Sequence, residues 1–519
     1  MQKTRPNFIF INTDQHRADC FSFSRRRRGL VTPHLDNLAM CGMRFHNAYA
    51  TCPVCIPQRM SLMSGQLPST HGVLCNAGIP FWGIEHTLPG ELRDNGYQTA
   101  LIGRDMHLDP MEMGFGFEHQ EISTADCNCD YFKFLASHSP PEANGLWGQR
   151  GAIQSFIPHP WHLPDWQHLT NWTVDRSINW LHGRDPSCPF FLTVGFNQPH
   201  TPNSPPRHYL DRYLRMADLG QPVIGDWAIP PANDGIGVSP DSSYLNLTGV
   251  NLHTCLAGYY AEINLLDDAI GRLLAYLQAA RLAQKTYVIF SADHGEMLGD
   301  HYHFQKSVPY EGASHIPMFI RGPGIAGGGE CESPVGWHDL MPTLLDLAGI
   351  DVPDTAADGI SLGPVLRGES LGIARNYIHG ECLLADVSVG EPFPGQQVQG
   401  NVAYEQGVQF VTDGREKYIW FPRGGIEQFF NLRSDPDECH DLAVDPAYAE
   451  RVEFWRQRLV KMLEDRPEGY VVNGCLVAGK EMPPRLPHAQ AQYDAWDSSA
   501  NKAILRHTNP LRSFFPLLG

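Results

Sequence analysis

The chain has no long hydrophobic run, no surplus of positive charge and no regular cysteine framework. Within its 519 residues no stretch approaches the roughly 20 apolar residues of a membrane span, so a spanning segment is not expected. Lys and Arg number 39 against 57 Asp and Glu, a formal net charge of −18. That balance gives no general attraction to a phosphate backbone and argues against a nucleic-acid partner. It also repels anions at long range, so a site for an anion must supply its own positive groups. The cysteines number 13, an odd count, and are scattered. The opening MQKTRPNFIFINTD carries only a short apolar run before Asp14 and lacks the pattern of a secretory signal. Reduced thiols and a cytoplasmic location are therefore expected.

What is present is an ordinary globular composition, 42% hydrophobic and 18% charged, in a chain long enough for two domains. Four apolar runs do not alternate and so suit strands covered on both faces: 7–12, 99–103, 190–197 and 286–291. Helical patterns at 33–40, 170–182 and 256–280 fall between them, which predicts an α/β fold with a mostly parallel sheet flanked by helices. Each run leads straight into polar residues: Asp14 and Gln15, then Arg104, Asp105 and His107, then His200, then Asp293 and His294. Ligands bind beyond the carboxyl ends of such strands, so these distant segments are expected to converge. From about residue 376 short strands (407–412, 416–421) and a charged helix (446–465) predict a smaller α+β domain, 376–465, after an α/β domain at 1–375. Residues 466–519 read as an extended tail whose aromatics, Tyr470, Trp496, Phe514 and Phe515, need burial, against another subunit or over the site rim, with a tail folded back on its own domain as the alternative. The basic run 25–28 reads as a solvated loop.

The chemistry concentrates at TCPVCIPQRMSLMSG, residues 51–65. Pro57 suits the first turn of a helix, which places Cys55 where free N–H groups attract an anion and Arg59 one turn further on. A structural thiol, or a redox pair of Cys52 and Cys55, is the plainer reading of the spacing alone. Asp14, Asp293 and His294 offer two carboxylates and an imidazole; the oxygens suit Ca²⁺ and the imidazole tilts toward Mn²⁺. Lys306 and Arg104 could hold anionic oxygens, and Asn76 and Gln15 are candidates for substrate binding, Asn76 by a hydrogen bond. The group Asp300-His301-Tyr302-His303 reads as a rim loop in preference to a second metal site.

C-x-P-x-R followed by S-L-M-S-G resembles the signature of the sulfatase family of the alkaline phosphatase superfamily. NFIFINTDQHRAD, FNQPHTP, SADHGEMLGDH with Lys306, DLMPTLLDLAGI and FFNLRSDPDECHDLA resemble its other landmarks, in order, over about residues 5–445. The resemblance implies a large mixed sheet with a smaller C-terminal domain, and sulfate-ester hydrolysis with one divalent metal. It implies that Cys55 is converted to formylglycine by a formylglycine-generating enzyme, that the hydrated aldehyde attacks the ester, and that Arg59 anchors it. It implies metal ligands at Asp14, Asp293, His294 and position 55, and catalytic roles for His200, which would contact the sulfate or protonate the leaving group, and for Lys306, with Arg104 and His107 the candidates from 102–108. Asp14-Gln15 and Asp293-His294, in place of Asp-Asp and Asp-Asn, look more like the phosphonate monoester hydrolase and choline-sulfatase branches than the arylsulfatases at large. Two departures stand out: Gln58 occupies a common Ser position, and 102–108 has one residue more than the usual pattern and no lysine.

Overall fold

The computed structural model describes residues 5–24, 26, 29–76, 84–107, 111–124, 129–139, 156–231, 243–356, 358–383 and 407–496. An eight-stranded sheet runs through the first part of the chain: β1 (Asn7–Asp14), β2 (Met43–Phe45), β3 (Gln98–Arg104), β4 (His119–Ser123), β5 (Phe190–Pro199), β6 (Thr286–Ala292), β7 (Met318–Arg321) and β8 (Gly329–Cys331). Their spatial order is β4-β3-β5-β1-β6-β7-β2-β8. The five strands from β4 to β6 are parallel, and β7 is antiparallel to both β6 and β2. β1 and β6 are buried along their whole length, which explains their unbroken apolar sequence.

Two apolar layers sandwich the sheet. One face carries helix α1 (Pro33–Met40) and the helices Leu169–Gly183 and Gly249–Ala279, with Leu35, Val174, Leu266 and Ile270 against Ile9, Ile11 and Val194. The other carries α2 (Cys55–Ser64) and the helix Leu340–Ala348, with Met60, Met63 and Leu344 against Phe8, Phe10 and Ile289. The expected strands and helices are all present, with ends shifted by a few residues and the long helix beginning at Gly249.

A second sheet, β9 (Ile378–Cys382), β10 (Val408–Thr412), β11 (Lys417–Phe421) and β12 (Ile426–Phe430), is antiparallel in the order β12-β11-β10-β9. The helix Ala449–Leu463 packs on one face through Trp455 and Leu459. The other face meets Cys52, Val54 and Tyr310 of the large unit. Lys417, fully buried, crosses that boundary to Glu311 at 2.7 Å and pairs on its own side with Glu438 at 3.0 Å.

Within the stretch expected as an extended tail, Val471–Val472 pairs with Cys475–Leu476, and Pro487–Trp496 is helical. Tyr470 is buried edge-on against Trp420 of its own chain. Phe514 and Phe515 lie outside the described residues. The basic run is not simply solvated: Arg26 reaches inward to Asp300 at 2.6 Å and Asp437 at 2.8 Å. Asp300 also holds Arg17 at 3.0 Å, so its carboxylate is committed to ion pairs. No helix among the described residues is long and apolar enough to cross a membrane.

Candidate active site

β1 ends in an irregular step that makes the site's floor. The pairing with β5 shifts between Thr13 and Asp14, and Gln15 takes a left-handed backbone, φ 68°. The step turns the fully buried Asp14 carboxylate out of the sheet plane beside the neighbouring strand end. There Asp293 receives the Gln15 and His294 N–H groups on Oδ1, at 3.2 and 2.9 Å.

His294 lies 3.7 Å from Asp14 Oδ1 and 3.6 Å from Asp293 Oδ1 through Nε2. Its Nδ1 is 2.9 Å from the Gly295 carbonyl, so Nδ1–H donates there and the Nε2 lone pair faces the carboxylates. Burial, with Lys306 nearby, holds the ring below its ordinary pKa and therefore neutral.

α2 delivers Cys55 and Arg59 to the same point. Val54 precedes it in an extended conformation and offers no side-chain cap; the Ile56 N–H is taken instead by Asn76 Oδ1 at 3.0 Å. The helix closes at Gly65, φ 69°, a left-handed terminus that a side chain would strain. Cys55 Sγ rests 3.2 Å from His294 Nε2 and 3.8 Å from Asp14 Oδ1. Burial and the Asp14 carboxylate push this thiol up to about 12. An unmodified Cys55 is thus a poor nucleophile, and Cys52 points elsewhere, to the Leu74 carbonyl at 3.6 Å. Both cysteines are free thiols, so the pair is not a disulfide.

Arg59, with no exposed side-chain surface, donates to Asp14 at 3.1 Å and Asp293 at 2.8 Å, and to the Asp105 carbonyl at 2.7 Å. Burial opposes the ionised form of Asp14, but the surrounding cations, Arg104 and Arg59 among them, hold its carboxyl well below the usual range.

The remaining cations line the opposite wall. Gly103, φ 98°, faces Gly195 so closely that a Cβ would lie 2.0 Å from the Gly195 carbonyl, and this contact sets the end of β3. Arg104 Nε then lies 3.2 Å from Asp14 Oδ2 but off the line of a hydrogen bond. His107, φ 53°, keeps a buried Nε2 with no hydrogen-bond partner among the described residues. Lys306 Nζ donates to Gln15 Oε1 at 2.9 Å and to His200 Nε2 at 2.7 Å. His200 Nδ1 donates to the Thr201 carbonyl at 2.6 Å, and burial keeps this imidazole neutral.

Every residue expected at the site is therefore found around one point, with Asn76 at its edge on the helix start. Sequence reasoning missed Glu296, which holds the Gln15 amide by its NH₂ group and receives the Leu298 N–H at 2.9 Å. The amide carbonyl is thereby turned toward Lys306. Its position three residues after Asp293 was the available signal.

The donor set fits a divalent cation. Asp14, Cys55, Asp293 and His294 place one ligand atom each within 4.8 Å of one another, all buried. Two donors each about 2.3 Å from one ion stand on the order of 3–4 Å apart, as these do. Two carboxylates and a neutral imidazole favour an oxygen-preferring ion that accepts nitrogen.

Comparison with known proteins agrees with this geometry. Residues 6–350 match the Sulfatase family model. The chain is 34% identical over 499 residues to an arylsulfatase of Clostridium perfringens, covering 92% of this chain and 98% of that one. It is 31% identical to a choline-sulfatase of Rhizobium meliloti, over 86% and 84% of the two chains. A phosphonate monoester hydrolase of Agrobacterium radiobacter superposes with a TM-score of 0.73 at 26% identity, covering 89% of this chain and 96% of that one. The chain belongs to the sulfatase family of the alkaline phosphatase superfamily and is a sulfuric ester hydrolase.

Proposed function

We propose that the protein hydrolyses monoanionic sulfate esters using one divalent cation and a formylglycine made from Cys55. The observation that carries this reading is the position of Cys55 Sγ, 3.2 Å from His294 and 3.8 Å from Asp14, inside the only described four-residue ligand cluster of buried groups. Asp14, Asp293 and His294 would hold the cation, with the Gln15 carbonyl a further neutral oxygen beside it. Ca²⁺ and Mn²⁺ both suit that set. When bound, the cation polarises the ester oxygens and favours the ionised hydroxyl of the aldehyde hydrate.

The chain's own groups do the rest. Arg59 fixes both carboxylates and stands over the nucleophile position. Arg104 Nε and His107 Nε2, without hydrogen-bond partners among the described residues, would meet the oxygens of the ester. His200 and Lys306, hydrogen-bonded to each other, hold a proton at the leaving-group side. Asn76, as an acceptor, braces the helix start. Arg59, Arg104 and Lys306 face Asp14 and Asp293, so the site stays positive within a chain of net charge −18.

A phosphonate monoester or phosphodiester carries the same single charge as a sulfate ester. The neutral Gln15 beside Asp14, together with the phosphonate monoester hydrolase neighbour, favours such esters as second substrates. Sulfated saccharides are a further class, since a relative 27% identical over 537 residues is an N-acetylglucosamine-6-O-sulfatase of Bacteroides thetaiotaomicron.

The test compares kcat/KM for an aryl sulfate, a phosphonate ester, a phosphodiester and a phosphate monoester that share one leaving group. The sulfate should lead. A phosphate monoester ahead by more than tenfold, about 1.4 kcal/mol in transition-state energy, would overturn the single-charge reading. The peptide containing Cys55 should be lighter by about 18 Da than its unmodified form, the mass change of replacing CH₂SH by CHO, and Cys55→Ala should abolish turnover of a folded protein.

A further inference from the structure

The loop that carries His200 is fastened from behind by two buried side chains that lie outside the site. Residues 199–205 leave the end of β5 and pass over the middle of the helix Gly249–Ala279. Glu262 on that helix has no exposed surface, and its Oε1 accepts the Ser204 N–H at 2.7 Å. Its second oxygen, Oε2, has no hydrogen-bond partner among the described residues and faces His168 Nε2 at 4.0 Å. His168 is buried too, and its Nδ1 accepts the Thr170 N–H at 3.2 Å. A ring nitrogen that accepts carries no hydrogen, so the hydrogen of the neutral imidazole sits on Nε2, which meets the Ser204 backbone beside Glu262.

The start of the helix Leu169–Gly183 also reaches the strand end before the loop: Thr170 Oγ1 donates to Gln198 Oε1 at 2.9 Å. Within the loop, Asn203 Nδ2 donates to the Pro199 carbonyl at 3.2 Å, so a shift at Ser204 is passed to the residues flanking His200. A buried carboxyl with no cation against it is costly. Here its one strong contact is the backbone of this loop.

We propose that Glu262 is a positioning residue for His200: through the Ser204 N–H it sets where loop 199–205 stands over the site, and hence where the His200 imidazole meets the leaving group. This rests on the reading that His200 serves the leaving group.

That role has a signature which stability alone lacks. The proton that Lys306 shares with His200 Nε2 is delivered to the leaving group at this pair, so displacing His200 harms basic leaving groups most and acidic ones least. The experiment measures kcat for aryl sulfates spanning leaving-group pKa values from about 5 to 10, with the parent, Glu262→Gln, Glu262→Ala and His200→Ala. In Glu262→Gln the amide oxygen can still take the Ser204 N–H, but its NH₂ group confronts the His168 N–H. The expected result is a loss of about tenfold on the most basic leaving group against less than about twofold on the most acidic, with His200→Ala steeper still. If His200→Ala is steep while Glu262→Gln loses the same factor on every substrate, the inference fails and the reading of His200 stands. If His200→Ala is itself flat, both fail. Should Glu262→Ala not fold, Glu262→Gln decides alone.

Discussion

At the scale of single residues, Arg59 has the largest electrostatic task. It separates Asp14 and Asp293, two fully buried carboxylates, and is itself without exposed surface. Removing one partner from such a set leaves charge uncompensated in the interior and typically costs about 3–5 kcal/mol. Arg59→Ala should therefore unfold at a markedly lower denaturant concentration in the presence of a chelator. A divalent cation should recover a larger part of that loss in the variant than it adds to the parent, because it replaces the missing positive charge. Equal gains in the two proteins would mean that the cation does not sit between these carboxylates.

At the scale of elements, the strands were legible and their bracing was not. β1 and β6 announce themselves because burial on both faces leaves no reason for alternation, and the reactive residues follow at their carboxyl ends. The convergence of Asp14, Cys55, His200 and Asp293 was readable for the same reason. The partner of the Ile56 N–H was not, since it depends on a single bridge between segments far apart in sequence. Residues 484–486 pair with 72–74: Leu74 N–H reaches the Pro484 carbonyl at 3.0 Å and Leu486 N–H the Gly72 carbonyl at 2.7 Å. Two residues on, Asn76 caps α2. Prolines at 483, 484 and 487 and the lack of any periodicity give that strap no sequence signal. Glu262 was hidden likewise, as one polar residue on an otherwise apolar helix stretch. Ending the chain after Met482 should lower kcat by about fivefold, the worth of roughly one hydrogen bond, and Asn76→Ala should do the same. The two changes combined should cost little more than either alone. Full additivity, measured in kcat, would show that the strap does not act through Asn76.

At the scale of the whole molecule, titration of the interior sets the stability profile. Burial pushes His71, His168 and His303 down to about 3, and His16, His301 and His338 down to about 4. Unfolding restores their ordinary affinity, so the unfolded chain binds more protons and stability falls as pH drops below about 6.5. Burial raises Glu262 to about 8 and Asp267 and Glu438 to about 7. These groups favour the folded state at low pH and lose that contribution as pH rises through the same values. The histidines outnumber them on the acid side, so Tm measured across pH 4 to 9 should peak near neutrality and fall more steeply toward acid. A profile that climbs steadily toward acid would contradict it.

The enclosure of Cys55 also sets an order of events. Its side chain is 2% exposed, roofed by Asp14 and His294. A second protein cannot seat on a sulfur so covered, so any enzyme that alters it must meet the chain while the site is still open. His294 is made 239 residues after Cys55. At about 5–20 residues per second of synthesis, the thiol stays on open peptide for on the order of 10–50 s. Arrival of β6 closes that interval, and a slower ribosome lengthens it.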